Sequence, residues 1–413
     1  MTALLAAVSK PFSFLRRPAR FVVRQLGRPI VGGVILGSIA FGVTLMVCRW
    51  FFGTPWSIIL DGIALGSLYG LMGVGVILIY RTNRIFNFAA AGLGAIPAVT
   101  GVLLIVYKGW SWWIAFPLSI VAGAVLGGVV DIVVIRRFAK APRLILTVVT
   151  IGVSQFLAFL ALLLPKWLKP PVGEGRFISE VPTPWLNIDL AQVGNRRFSG
   201  DYAFAVILVL ALVGGLMAFF RYTRIGVALR ASAENADRAA LLGIPVRRVG
   251  TVAWVIAGVF ATATIFTRSS LVGVPIDGTL GYVVLLYALA AAVIGRMESI
   301  PICMLAGIAI GMIDQASVLR TGRNSLAGAI MFVIILAALL LQRGKLSRAQ
   351  DSGVSSFSMV KEFRPVPSEL RNVREVVLAR SVLTALAGIA LVVAPFVLGD
   401  TRLSRAAPLL IYC

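Results

Sequence analysis

Long apolar runs alternate with short polar segments along almost the whole chain. A helix that crosses a bilayer needs about 20 apolar residues, and by that measure the runs predict an all-α polytopic membrane protein with about 10–11 transmembrane helices. The predicted spans lie near residues 30–48, 56–80, 86–107, 112–135, 144–164, 202–220, 251–272, 280–295, 300–319, 326–342 and 380–398.

Small residues in the second span predict close helix packing. Gly62, Gly66, Gly70 and Gly73 follow one another at intervals of three or four residues within 56–80. Glycine at this spacing forms a stripe without side chains, along which a second helix can approach closely in lipid. We therefore expect this span to lie against another helix of the bundle.

The next span carries residues that could line a translocation pathway. Residues 81–101 read RTNRIFNFAAAGLGAIPAVTG, with glycines and a proline inside the apolar run. Such residues free backbone polar groups that lipid cannot satisfy. This leaves two alternatives: a broken or re-entrant helix near 86–100 beside a water-lined path, or an ordinary span with a proline kink. A polar pair in the middle of span 144–164 either lines the same route or bridges two helices. The candidate pathway residues are Asn83, Asn87, Phe88, Gly92, Pro97, Ser154 and Gln155.

The composition places much of the protein surface in lipid. Hydrophobic residues make up 59% of the chain and charged residues 13%, too few to cover a soluble protein of 413 residues. The net charge is +23. With the N-terminus in the cytoplasm, most basic residues fall in alternate, cytoplasmic loops, so the positive-inside bias explains this charge without nucleic acid. The pattern predicts a multi-pass protein of the cell (cytoplasmic or inner) membrane, with 221–250 on the cytoplasmic side.

Several kinds of chemistry are excluded by the residues that are missing. The chain has no histidine, which rules out Ser-His-Asp triads and histidine metal sites. Its cysteines, Cys48, Cys303 and Cys413, show no paired spacing. No GxxxxGK[ST] motif occurs, so the chain has no P-loop for ATP. No span shows the set of deep ionisable residues expected of a proton-coupled carrier. We therefore expect no catalytic residues, no metal and no cofactor bound by this chain, and no enzymatic activity.

The longest helical-looking polar segment between two spans is 221–250, which reads RYTRIGVALRASAENADRAALLGIPVRRVG. Its composition favours helix, and Glu234 and Arg238 have the spacing of an i,i+4 ion pair. Gly243 and Pro245 are typical of a helix end. The pattern predicts one short amphipathic helix that is either a solvated connector or a docking element.

Three stretches resemble the branched-chain amino acid ABC transporter permease family. They read LDGIALGSLYGLMGVGVILIYRTNRIFNFAAAGLGAIPA at 60–98, RASAENADRAALLGIPVRRV at 230–249 followed by TVAWVIAGVFA, and AAAVIGRMESIPICMLAGIAIGMID at 290–314. The resemblance covers about 56–342. It implies the permease subunit of an ABC importer for branched-chain or related amino acids, working by alternating access. It also implies separate cytoplasmic ATPase subunits that use the ATP, a second permease subunit or a homodimer, and an extracytoplasmic substrate-binding protein.

The resemblance also assigns a role to the polar segment, as the loop that couples the permease to the ATPase. Its predicted coupling residues are Glu234, Asp237, Arg238, Ala239, Ala240, Leu241, Leu242 and Gly243. We expect Ala239, Leu241 and Leu242 to anchor the contact and the charged residues to set its register. The chain departs from the family pattern at Arg238, where an acid is usual. It also lacks a polar residue after Phe88 and a glycine-rich stretch after Gly295.

The spans and loops divide the chain into four predicted segments. These are a basic tail with a signal-anchor span (1–55), the permease domain (56–342), a basic cytoplasmic linker (343–379), and an extra span that resembles the truncated start of a second permease module (380–413). Two alternative functions remain open: a secondary carrier or channel, and a degenerate permease fragment that transports nothing.

Overall fold

The computed structural model describes residues 38, 41–46, 48–50, 53–138, 141–168, 177–178, 181–193, 196–275 and 280–321. The predicted spans 326–342 and 380–398 and the predicted linker 343–379 lie outside the described residues, as does most of the predicted 1–55 tail. The division into four segments therefore stays a prediction.

The described chain is almost entirely helical. Its helices are α1 (Trp56–Asn83), α2 (Ala90–Lys108), α3 (Trp112–Val133), α4 (Arg143–Leu168), α5 (Gly200–Tyr222), α6 (Arg224–Glu234), α7 (Ala236–Leu241), α8 (Val246–Val272), α9 (Leu280–Ile294) and α10 (Ile300–Thr321). A short 3-10 turn, Ile135–Phe138, follows α3. The strands are β1 (Phe177–Ile178), β2 (Asp189–Val193), β3 (Arg196–Ser199) and β4 (Val274–Pro275).

Most of these helices are built to cross a membrane. In the described residues, 7 helices are long and apolar enough to do so, and Gly281–Ile294 and Phe41–Trp50 are shorter apolar helices. Each span predicted between 56 and 319 thus has its helix, which confirms an all-α, multi-pass membrane protein. The side that each end faces stays a prediction. The helix ends that carry Arg81, Arg136 and Arg221 are named the basic end.

The centre of the bundle is α1, which packs most extensively against α10 and also contacts α8 and α9. An apolar segment of 18 residues in α1 is 94% buried inside the bundle, whereas the corresponding segments of α4 and α5 are 28% and 22% buried. The two outer helices expose large aliphatic and aromatic side chains such as Phe156, Phe159 and Leu210. Such surfaces suit lipid or a second membrane subunit.

The glycine stripe of α1 brings two backbones together. A Cβ atom on Gly62 would lie 2.6 Å from the Cα of Met312, and one on Gly66 would lie 2.6 Å from the carbonyl oxygen of Gly307. The facing residues Gly307 and Gly311 of α10 are themselves glycines pressed against α1. The predicted close approach of α1 to another helix is confirmed, and its partner is α10.

The helix α2 continues through Pro97. Proline leaves the carbonyl four residues earlier without its helical partner, and here the Thr262 hydroxyl of α8 lies 3.5 Å from the Leu93 carbonyl oxygen. A threonine on a neighbouring helix can satisfy such a freed group. Of the two alternatives, the break does not occur within 90–108, where α2 is an ordinary span that contains a proline.

A non-helical stretch instead precedes α2, at residues 84–89. Arg84 ends α1 in the left-handed conformation, with φ 55°. The first turns of α2 pack against the middle portions of α4 and α8. Gly92 lies against Leu157 of α4, and Gly94 lies against Ala261 of α8. The chain therefore runs from the basic end into the bundle before α2 begins.

At the basic end, a polar cluster fastens α3 to α8. Arg136 Nε lies 3.3 Å from Asp131 Oδ2, and the hydroxyl of Thr251 donates to the same carboxylate oxygen at 2.6 Å. At the opposite end, β2 and β3 form an antiparallel hairpin and β1 pairs with β4. This hairpin lies inside the long loop between α4 and α5.

Candidate coupling segment and translocation pathway

The polar segment 221–250 folds as two helices, α6 and α7, instead of the one that its composition predicted. Between them Asn235 is extended, with φ −155° and ψ 108°. Its side-chain oxygen accepts a hydrogen bond from the N–H of Arg238 at 2.9 Å. Asparagine is among the best N-cap residues, so it starts a new helix where the first one ends. Glu234 and Arg238 belong to different helices and form no ion pair in this described segment.

The inner face of this segment is fixed to the bundle. Leu229, Ala233 and Ala239 are buried, and Leu229 packs in a cluster with Leu78 of α1 and residues of α8. Ala239 was expected to anchor a partner, but its side chain is only 2% exposed and faces its own chain. It therefore stabilises the fold of the segment and cannot insert into a partner.

The outer face of the segment ends in two exposed leucines. Leu241 is 87% exposed and Leu242 is 80% exposed, and Glu234, Asp237, Arg238, Ala240 and Gly243 are exposed beside them. Gly243 has φ +81°, a conformation that glycine adopts without strain, and it turns the chain towards α8. Neighbouring large apolar side chains in water, rimmed by charges, are typical of a protein contact.

An open cleft of about 620 Å³ lies beside α6 at the basic end. It is lined by Arg81, Arg84, Val227, Arg230, Ala231, Ala233, Glu234 and Glu298. The Arg84 side chain also donates from Nη2 to the Ala233 carbonyl oxygen at 3.2 Å. The cleft thus presents both charge signs next to the exposed face of the segment.

The turn between α9 and α10 carries strain in this chain. Arg296 has φ 58° and Met297 has φ 54°, where residues other than glycine pay a conformational cost. These residues stand where the sequence departs from a glycine-rich pattern after Gly295. The backbone therefore explains why glycine suits this turn.

Three of the seven candidate pathway residues, Asn87, Phe88 and Gly92, lie at the start of α2. Asn87 is 2% exposed, and its Oδ1 accepts a hydrogen bond from the N–H of Ala89 at 3.0 Å. The hydroxyl oxygen of Thr150 in α4 lies 3.3 Å from the Phe88 nitrogen and 3.1 Å from the Phe86 oxygen. Gly92 packs against Leu157, in the same helix as Thr150.

The polar pair of α4 lies one turn beyond Thr150. Ser154 is 2% exposed, and its hydroxyl has no hydrogen-bond partner. Gln155 is exposed at the edge of the bundle. The hydroxyl of Tyr282 in α9 lies 3.3 Å from the Ser154 carbonyl oxygen and 3.5 Å from Gln155 Oε1. Tyr282 thus contacts α4 through the Ser154 backbone and the Gln155 side chain, and whether the pair lines the route or bridges two helices stays a prediction.

The two other candidate pathway residues lie apart. Asn83 is at the last position of α1 and faces Gly250 at the start of α8. Pro97 lies further along α2, inside the helix. Sequence reasoning missed Thr150 and Tyr282; the available signal was the i,i+4 spacing of Thr150 and Ser154 on one helix face.

Asp314 and Gln315, a polar pair that stands out in the apolar run 300–319, belong to a buried polar cluster. Asp314 is 6% exposed and accepts hydrogen bonds from Tyr287 at 2.8 Å and Gln315 at 3.3 Å. The guanidinium group of Arg268 lies within electrostatic range of Asp314 and of Tyr69. The expectation that no span shows the set of deep ionisable residues typical of a proton-coupled carrier stays a prediction. In the described ranges, this cluster included, no group of three or more Cys, Asp or Glu residues could hold a metal ion.

Known proteins are similar in sequence to most of this chain. Residues 58–339 match the family model described as "branched-chain amino acid transport system / permease component". The high-affinity branched-chain amino acid transport system permease protein LivH of Escherichia coli (strain K12) is 28% identical over 303 residues, which cover 70% of this chain and 94% of LivH.

Two further relatives and one solved structure are similar to a lesser degree. A LivH protein of Methanocaldococcus jannaschii is 26% identical, covering 68% of this chain and 90% of its own. BraD of Pseudomonas aeruginosa is 26% identical, covering 62% and 84%. A metal-chelate type ABC transporter in an inward-facing conformation aligns with TM-score 0.42 and 17% identity, covering 68% of this chain and 84% of that one. That structural likeness is too weak to support a conclusion.

Proposed function

Because the chain belongs to the family of branched-chain amino acid transport permease components, we propose that it moves branched-chain or related amino acids across the membrane. The protein is the multi-pass membrane subunit of an ABC importer. Separate cytoplasmic ATPase subunits supply the energy, a second permease copy or subunit completes the pathway, and an extracytoplasmic binding protein delivers the substrate.

The observation that carries this proposal is the pair of exposed leucines at the end of α7. Leu241 and Leu242 are 87% and 80% exposed, on a segment whose inner face is fixed to α1 and α8. Burial of a leucine side chain in a partner is worth about 1.5–3 kcal/mol. A groove on the ATPase that receives the end of α7 would use helix-in-groove recognition. The adjacent charges, Asp237 and Arg238, would set the register.

The edge formed by α4 and α9 supports a second membrane subunit or a water-lined path. Gln155 is exposed in the middle of α4, beside the exposed Phe156. A polar side chain at this depth is unfavourable in lipid. A neighbouring subunit or water would satisfy its amide group. We therefore place the pathway along this edge.

The proposal is tested by expressing the full chain with its partner ATPase subunits and binding protein in a strain that lacks its own branched-chain amino acid permease. The measured quantities are uptake of radiolabelled leucine and the amount of ATPase that copurifies. The double variant Leu241→Ser/Leu242→Ser should reach the membrane, lose at least tenfold of the copurifying ATPase, and lose uptake to the same extent.

Ile225→Ser provides the matched control, because Ile225 is an exposed aliphatic residue (50%) of the neighbouring helix α6. This variant should retain both the ATPase and uptake. Normal uptake by the double leucine variant would refute docking through α7. Absence of leucine uptake by the unmodified complex, with the ATPase bound, would refute the proposed substrate class.

A further inference from the structure

The N-terminal end of α2 is rich in hydrogen-bond donors. The first N–H groups of any helix have no partner inside that helix, and at this end the amide oxygen of Asn87 satisfies the N–H of Ala89. That bond places the amide group of Asn87 at the mouth of α2. The other half of the same amide, Nδ2, is buried and has no hydrogen-bond partner.

A second unpaired donor lies on α4, between Thr150 and Leu157, which both contact the start of α2. The Ser154 hydroxyl is buried without a hydrogen-bond partner, one turn beyond Thr150, whose hydroxyl contacts Phe88. Natural proteins leave few buried polar groups unpaired, because an unmade bond costs the full desolvation of the group. Asn87 Nδ2 and Ser154 Oγ are therefore available to bind a ligand or an ordered water.

The electrostatics of the site select the charge of that ligand. A helix N-terminus carries a partial positive charge, and α2 has no acidic residue in its first turn. The start of α9 approaches this end of α2, with Gly281 against Ala91, and α9 also has no acid in its first turn. Two positive helix ends and two free donors, Asn87 Nδ2 and Ser154 Oγ, suit a small anion such as a carboxylate.

The site lies next to the exposed edge of the bundle. Tyr282 is half-buried and Gln155 is exposed, and the Tyr282 hydroxyl reaches the Ser154 carbonyl oxygen at 3.3 Å. Tyr282 and Gln155 thus stand next to Ser154 at the edge where the pathway is placed. The donors are thus positioned beside the route and withdrawn from lipid.

We propose that the N-terminal end of α2, with Asn87 Nδ2 and Ser154 Oγ, holds the α-carboxylate of the amino acid during its passage. This inference rests on the proposed function, because it takes an amino acid as the substrate. Recognition through the carboxylate leaves the side chain of the substrate free. A site of this kind therefore fits a transporter that accepts several branched-chain amino acids.

Asn87→Asp separates a binding role from a structural one. Aspartate keeps an oxygen that accepts the Ala89 N–H, and acids are favourable at a helix N-terminus, so the cap survives. The donor Nδ2, however, becomes a second, negatively charged oxygen that repels a carboxylate. In proteoliposomes with the complete complex, uptake of radiolabelled leucine should fall at least tenfold, while ATP hydrolysis stays within twofold of the unmodified complex.

Two serine variants keep the test decisive if Asn87→Asp fails to assemble. Ser154→Ala removes one donor without adding charge and should lower leucine uptake threefold or more. Ser119→Ala is the control: this buried serine of α3 bonds the Ala115 carbonyl oxygen of its own helix at 2.8 Å, and its removal should leave uptake unchanged. Uptake at the unmodified rate by Asn87→Asp, or by Ser154→Ala where the first variant does not assemble, overturns the proposal. An unmodified complex without leucine uptake would instead refute the proposed function.

Discussion

Alanine at Gly66 would place a methyl group 2.6 Å from the carbonyl oxygen of Gly307 and 2.6 Å from the Cα of Ile308. Carbon atoms in good contact lie about 3.5–4.0 Å apart, so α1 and α10 would have to separate by about 1 Å. Backbone atoms cannot rotate away as a side chain can. A gap of that size forfeits roughly a quarter to a half of each contact along the stripe, and overpacking of this kind costs about 1–3 kcal/mol. We expect Gly66→Ala to lower the free energy of unfolding by about 2 kcal/mol, a change of roughly thirtyfold in the unfolding equilibrium.

The measurement is equilibrium unfolding of the detergent-solubilised protein in increasing dodecyl sulfate, followed by circular dichroism. Gly152→Ala in α4 is the matched control, because a Cβ atom there meets nothing within 4 Å. Alanine in a helix interior is favoured over glycine by about 0.5–1 kcal/mol, so this variant should be slightly more stable than the unmodified protein. Equal stability of Gly66→Ala and Gly152→Ala would refute the backbone contact between α1 and α10.

Two further substitutions test local backbone features. Arg296→Gly should raise the melting temperature by a few degrees, because glycine adopts the φ of 58° at this exposed turn residue without the cost of about 1–2 kcal/mol. The control, Arg230→Gly within α6, should lower the melting temperature. A lower melting temperature for both variants would contradict the assigned strain. Asn235→Ala removes the N-cap of α7 and should lower the stability of this helix by about 1 kcal/mol, which hydrogen exchange would detect as faster amide exchange in 236–241. The control, Asn235→Asp, should exchange at the original rate. Unchanged exchange in the alanine variant would contradict the assigned cap.

The length of the apolar runs predicted the helices between 56 and 319, because lipid leaves few alternatives to a helix for a run of about 20 apolar residues. The same reasoning overestimated the break in α2. Pro97 and the glycines around it do weaken the helix by themselves, but the compensation comes from Thr262, which is 169 positions beyond Leu93 along the chain. Only the packing of α8 against α2 brings that hydroxyl to Leu93.

The site was predicted in part, for a related reason. Asn87 and Ser154 stand out in sequence because a polar residue in an apolar run is rare, and the structure places Ser154 between two residues of α4 that contact the start of α2. The orientation of Ala239 could not be predicted, since the break at Asn235 turns α7 relative to α6. Arg268 and Asp314 lie on different helices, and nothing in either local sequence indicates that α1 and α9 bring Tyr69 and Tyr287 to the same cluster.

Arg84 connects the proposed docking segment to the proposed carboxylate site. Its side chain donates a hydrogen bond of 3.2 Å to the Ala233 carbonyl oxygen in the last turn of α6. Its backbone begins the non-helical stretch 84–89, which contains Asn87 and leads into α2. The central helix α1 is 94% buried in its apolar segment of 18 residues and fixed to α10 by backbone contacts, so it resists displacement. The non-helical stretch lacks the backbone hydrogen-bond ladder of a helix and is held by the side chains of Asn87 and Thr150. A force applied to α6 by a docked ATPase would therefore reach Asn87 through Arg84 before it disturbs the contact between α1 and α10. ATP-driven closure would then alter the carboxylate site first and the packing of the bundle second.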